Sequence, residues 1–239
     1  MPDAQRTEMV LSYHRVRTAL GVLGVALPMV LLFGGLFDFH RLEPSISDFY
    51  HTTYRDIFVG TLCSIGVFLI CYRGYSRKPG DLIDDDWLGT IAGISAFGVA
   101  LFPNESPTDQ IATMTQKIVG IGISPMFHYA SALVFFTCLA VFCLAKFARS
   151  AKPHRRRVYL GCGWVIVCAL IGISIASAVK VFGSGGPQQA VLSYNLVFWF
   201  EAVGIWAFGL SWLVKGKADI ALVRLAGRRD GKHQERVSF

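Results

Sequence analysis

The chain has 239 residues, 53% of them hydrophobic, and a formal net charge of +7. That share of apolar residues excludes an ordinary soluble domain. Long uncharged runs point instead to a polytopic membrane protein whose helices satisfy their own backbone hydrogen bonds in lipid. The basic residues fall between and beyond those runs, so they read as topology signals and contacts to anionic lipid headgroups, and nucleic acid is not an expected partner.

Residues 1–18 form a polar segment carrying Arg6, Arg15 and Arg17. The run 19–37 has no charge and would reach ~28 Å as a helix, enough to cross the hydrocarbon core. Its basic flank resembles that of a signal peptide, but the run is too long and has no clear small-x-small cleavage site, so it reads as a retained first span. Pro28 is tolerated in a membrane helix and would kink it. A connector from Glu43 to Asp56 follows, richer in polar and aromatic residues than connection requires.

Span two is expected over 57–72, then a hydrophilic link over 73–86 that turns at Pro79-Gly80. Span three, 87–102, ends at Pro103. Asp84, Asp85 and Asp86 stand at its start, where carboxylates favour the positive end of the helix dipole; that role outweighs a metal reading. Gly89 and Gly93 make a Gly-x-x-x-Gly and Ala92, Ala96 and Ala100 a second small-residue stripe, which predict close packing in the bundle centre. A second polar connection, 104–124, holds Asn104, Glu105, Asp109 and Lys117. Span four covers 126–147 with His128 near its start, and a basic link to Arg157 follows. Span five covers 158–181 and carries Lys180 at its far end. The Gly183–Pro187 turn leads to span six, 191–214, which contains Glu201, and residues 215–239 form a basic tail. The fold class is therefore all-α: a six-helix transmembrane bundle over 19–214.

Nineteen of the 23 Lys and Arg residues fall in the N-terminal segment, the links 73–86 and 146–157 and the tail; the other side holds only Arg41, Arg55, Lys117 and Lys180. By the positive-inside rule both termini face the cytoplasm of a cell-membrane protein, and the 43–56 connector faces outward. The six cysteines lie within or at the ends of apolar runs without a Cys-x-x-Cys pair, and read as small apolar residues.

Alternation of span direction gathers the intruding polar residues toward the outer half, where such groups are costly unless partnered or wetted. Glu201, about ten residues or ~15 Å into span six, would lie near mid-membrane. Tyr194 would share its face, and Gly204 would open room there. Glu201 reads equally as a proton acceptor in a cavity or as a structural acid paired with Lys180 or Arg55. His128 suits proton transfer, metal ligation or a structural hydrogen bond, and the structural role is commonest for a lone histidine at a span boundary. His40, His51 and Asp48 could join it as N/O ligands, but their spacing specifies no metal, and no cofactor is assigned. If the connector is helical, Asp48, Thr52 and Asp56 form one polar stripe and Ser47, His51 and Arg55 another, with Ser45 or Ser47 as N-cap. Tyr50 and Tyr54 suit interfacial packing.

Ser45-Ile46-Ser47-Asp48-Phe49-Tyr50, Arg55 entering span two, Ala100-Leu101-Phe102-Pro103 and His128 opening span four resemble the bacterial six-span family labelled domain of unknown function 998. The Pro44–Asp48 string more distantly resembles a loop of the DRAM/Sfk-type membrane proteins. This resemblance covers about residues 20–214 in layout. It implies a six-helix membrane protein with an outward polar cluster of Asp48, Tyr50, Arg55 and His128, and it implies no reaction. A ceramidase-like zinc hydrolase is disfavoured, since the chain has no His-x-x-x-His and its last two spans carry no histidine.

The leading functional expectation is an outward-opening pocket that binds a lipid headgroup or another small amphiphile. Arg55 and Lys180 would hold an anionic group, with Tyr50, His51 and Tyr194 as further ligand contacts. In an enzyme version His128, Asp48 and Glu201 supply general acid/base chemistry. The rivals are a proton-coupled transporter using Glu201 and a non-catalytic assembly or sensing protein. Membrane lipids are the expected partners, and the chain leaves room for a homo-oligomer.

Overall fold

The computed structural model describes residues 3–38, 40–74, 83–105, 108 and 110–217, with side chains from Tyr13 onward. The expected Pro79-Gly80 turn, Asp109 and residues 218–239 of the basic tail lie outside the described residues. Among the described residues every regular element is helical. The helices are α1 (Asp3–Phe37), α2 (Arg55–Ile70), α3 (Asp85–Leu101), α4 (Met114–Val119), α5 (Ser124–Ser150), α6 (Pro153–Phe182), α7 (Gly185–Ser193) and α8 (Leu196–Lys215). Among the described residues four helical segments are long and apolar enough to cross a membrane: Tyr13–Phe37 of α1, and α5, α6 and α8. The protein is thus an all-helical membrane bundle. At 16 and 17 residues, α2 and α3 reach ~24 and ~26 Å.

Six helices close a ring, each packed on the next in the order α1, α2, α3, α5, α6, α8 and back to α1. Small residues bring the backbones together. A Cβ on Gly93 would stand 2.6 Å from the Gly66 carbonyl oxygen of α2, so α3 packs closely on that helix, but as one member of the ring with Trp87 and Ile94 exposed rather than at the bundle centre. Ala92, Ala96 and Ala100 are fully buried. Gly21 and Gly209 make the matching approach between antiparallel α1 and α8.

Helix boundaries depart from the sequence expectation where tertiary contacts override composition. The N-terminal segment is helical from Asp3, continuous with the first span. Helix α5 runs past residue 147 through a π-helical stretch, Phe142–Phe147. That stretch seats Lys146 inside the bundle, where its Nζ lies 3.6 Å from Asp85 and donates to the Ile83 carbonyl. Among the three acids at the start of α3, Asp84 is the cap, accepting the Trp87 N–H at 2.7 Å, whereas Asp85 is a buried ion-pair partner. The same end of the bundle holds Arg17, stacked 4.2 Å over Tyr13 and donating to Tyr72 at 3.3 Å, and Lys215, donating to Ser150 at 3.1 Å.

The last span is the largest departure. It does not begin at residue 191: α7 ends at Ser193, and Asn195 adopts the left-handed conformation (φ 49°) that its short polar side chain tolerates. Helix α8 therefore starts afresh at Leu196.

Candidate functional site

The Glu43–Asp56 connector folds inward over one end of the ring. It is not a continuous helix: one 3-10 turn, Ser47–His51, ends at Thr52, whose backbone is extended. Thr52 Oγ1 donates to the Phe49 carbonyl at 2.9 Å and accepts the Tyr54 N–H at 3.1 Å, closing the turn. The two expected four-residue stripes therefore stop short of Asp56 and Arg55. The N-cap position of this turn is Ile46, not Ser45 or Ser47; Ser45, one residue before it, accepts the Asp48 N–H on its Oγ at 3.0 Å.

The connector is anchored on the start of α8. Phe198 N–H, one of the donors a helix N-terminus leaves unpaired, donates to the Pro44 carbonyl at 2.9 Å. Ile46 N–H donates to Glu201 Oε2 at 2.6 Å, and Ser47 Oγ lies 3.3 Å from Glu201 Oε1. With the helix beginning at Leu196, Glu201 stands five residues in, only ~7.5 Å from the helix start, rather than ~15 Å deep. The space at Gly204 is filled by Phe136 of α5.

His128, 1% exposed, joins the same cluster from α5. Its Nδ1 is 2.7 Å from the Phe102 carbonyl oxygen and its Nε2 is 2.9 Å from Ser47 Oγ. Ser47 therefore bridges His128 and Glu201, two residues from different helices. A second branch starts at Asp48. Lys180, at the last turn of α6, donates to both Asp48 oxygens at 2.8 and 2.7 Å. Asn104 Nδ2 donates to Asp48 Oδ1 at 2.6 Å, and Asn104 Oδ1 takes a hydrogen bond from His51 Nε2 at 3.1 Å. Burial pushes the His51 imidazole pKa below its ordinary 6.5, against the opposing pull of Asn104 and Asp48.

Five of the eight expected residues thus fall in two hydrogen-bonded sets side by side, Glu201 and His128 around Ser47, and Lys180 and, through Asn104, His51 around Asp48, the two sets being joined by the chain from Ser47 to Asp48. Arg55 and Tyr50 form a side pair: the guanidinium lies 4.5 Å above the Tyr50 ring and donates to its hydroxyl at 3.1 Å. Tyr194 is not brought in. It sits at the break between α7 and α8, 70% exposed, because the interrupted helix carries it off the Glu201 face.

Three residues central to the arrangement were not singled out from sequence. From sequence Ser47 reads as one of several polar connector residues, a cap or stripe member and part of the 45–50 string, and Asn104 and Glu105 read as polar connector residues. The available signal was position: Asn104 and Glu105 follow Pro103, which ends α3 at the same face as the connector.

Beside the network, a cleft of about 730 Å³ opens between α5 and α6. Its walls are chiefly apolar, with Phe136, Leu170 and Ile173 among them, and Glu105, Tyr129 and Ser177 supply polar atoms. Tyr129 O–H donates to Glu105 Oε2 at 2.6 Å. Among the described residues Glu105 is the one charged group in the lining. The cleft adjoins the network through chain neighbours: Tyr129 follows His128, Glu105 follows Asn104, and Val181 follows Lys180. Among the described residues, no three His, Cys, Asp or Glu side chains are grouped to hold a metal ion. Comparisons of the chain with protein-family models, curated proteins and solved structures find no match.

Proposed function

We propose that this chain is a six-span cell-membrane protein, both termini cytoplasmic, that binds an amphiphile with its hydrocarbon chain in the α5/α6 cleft and its headgroup at the outer rim. The observation that carries this reading is the chiefly apolar cleft of about 730 Å³ with Glu105 and Tyr129 in its lining, beside the polar groups at the same end of the bundle. Helices α2 and α3 count as spans because they are full members of the ring. Their ~24–26 Å reach needs only slight thinning of a ~30 Å core. The distribution of Lys and Arg supports the orientation.

The headgroup class follows from charge. Lys180, expected to hold an anionic group, is already paired with Asp48, and Arg55, stacked on the Tyr50 ring and donating to its hydroxyl, is not among the residues that line the cleft. The carboxylate of Glu105 with the Tyr129 ring instead favours a head bearing an ammonium group, which both a charge and an aromatic face attract. Lipid extracted from purified protein and identified by mass spectrometry tests this. Wild type should retain amine-headed lipid in excess over its share of the host membrane. Glu105→Gln should lose that preference, and Ala132→Phe, which fills the cleft, should lose retention itself. Equal and non-selective lipid in all three would end the proposal.

A further inference from the structure

The Glu201–Ser47–His128 chain poses a hydrogen-counting problem with a definite answer. The Phe102 carbonyl only accepts, so His128 Nδ1, 2.7 Å away, carries a hydrogen. Glu201 Oε2 is occupied by the Ile46 N–H. Ser47 Oγ then lies between two atoms, His128 Nε2 at 2.9 Å and Glu201 Oε1 at 3.3 Å, and has one hydrogen to give. With neutral His128 and ionised Glu201, that hydrogen serves one neighbour, and the other contact sets lone pair against lone pair. All three residues are at least nine-tenths buried, so water does not relieve the conflict cheaply.

One added proton resolves it in two ways. Placed on Glu201, it gives Oε1–H to Oγ and Oγ–H to Nε2. Placed on His128, it gives Nε2–H to Oγ and Oγ–H to the carboxylate. Every polar atom is satisfied in both arrangements, and the net charge of the trio is zero in both. They interconvert when Glu201 passes its proton to Ser47 while Ser47 passes its own to His128: one O–H bond breaks at Glu201, an N–H bond forms at His128, and the serine is unchanged. No heavy atom need move.

We propose that Glu201, Ser47 and His128 are a one-proton relay linking α8 to α5, a site that takes up and releases a single proton shared by carboxylate and imidazole. The charged and titratable groups around it form neutral or hydrogen-bonded pairs: Asp48 with Lys180, Glu105 with Tyr129, and His51 with Asn104. None of them supplies a second acceptor to Ser47. Loss of the shared proton restores the lone-pair conflict at the residue that, with Ile46, docks the connector on α8. Proton release is thereby coupled to loosening of the connector. The relay rests on hydrogen-bond geometry alone and does not depend on what occupies the cleft.

The experiment is a pH titration of the full chain in lipid nanodiscs. It follows two signals together: the infrared carbonyl band of protonated Glu201, assigned by its loss in Glu201→Gln, and the nitrogen-15 resonances of His128, assigned by their loss in His128→Gln. The relay predicts that both signals titrate at one common midpoint, with one proton released in total. Ser47→Ala should split them into two independent steps, and Ser47→Thr, which keeps the hydroxyl, should preserve the common midpoint. Separate midpoints in the wild type would overturn the proposal, as would Ser47→Ala titrating like the wild type. If Ser47→Ala does not fold, the wild-type and Ser47→Thr titrations decide alone.

Discussion

Lys180 and Asp48 offer the sharpest energetic test, because their contact joins residues 132 positions apart and holds the connector to α6. Both Asp48 oxygens accept from one ammonium at 2.7–2.8 Å, and each side chain is 15% exposed. An exposed pair of this kind would contribute ~0–1 kcal/mol, whereas removing one partner of a fully buried pair costs ~3–5 kcal/mol. At this intermediate burial, Lys180→Met should cost roughly 2 kcal/mol, between the two limits, since Asp48 is left with the Asn104 amide as compensation. Asp48→Asn should cost about as much, because it strands the ammonium beneath the connector. The double variant should be less destabilised than the sum of the singles by ~2 kcal/mol, about a thirtyfold difference in the unfolding equilibrium constant. Reversible unfolding in detergent micelles, monitored by circular dichroism, measures all four corners of the cycle. Additivity within ~0.5 kcal/mol would refute the reasoning, for it would mean that the pair is screened as at an open surface.

His51 carries a pH prediction with a fixed sign. Its folded pKa lies below the ordinary 6.5, so the unfolded chain binds the proton more readily. The contribution is therefore complete above 6.5 and lost as pH falls through the lower folded value. Unfolding midpoints of His51→Gln should fall less steeply than wild type over that acidic window, and parallel curves would argue against it. At the opposite end of the bundle, Asp84 and Asp85 should separate cleanly despite being neighbours. Asp84→Ala loses a cap and about 1 kcal/mol. Asp85→Ala removes the carboxylate facing buried Lys146 and should cost several-fold more, on the order of 3 kcal/mol. Equal costs in the same unfolding assay would mean that Asp85 is no more than a dipole partner.

Much of the architecture is legible because it depends on local composition. Uncharged runs the length of a bilayer core mark α1, α5 and α6, an apolar run broken only by Glu201 marks α8, and glycine four residues from glycine marks the tight face of α3. The position of Lys180 at the end of its run, and of His128 at the start of its own, likewise places both at one end of the bundle. What composition carries is which residues lie at which end of which helix. It carries neither the rotation of each helix about its axis nor the register of one against another.

Those two quantities decide the site. A left-handed Asn195 restarts the last helix, which removes Tyr194 from the Glu201 face and brings Glu201 close to the helix start, where it meets the connector. Ser47 reads as an ordinary cap until the packing of α5 and α8 sets His128 and Glu201 on either side of its hydroxyl. Lys146 reads as part of a basic link until the π-helical stretch turns it toward Asp85. In each case a polar group inside the bundle must find a partner, because leaving it unpaired costs more than bending a helix. That partner comes from another helix, so only the assembled bundle identifies it.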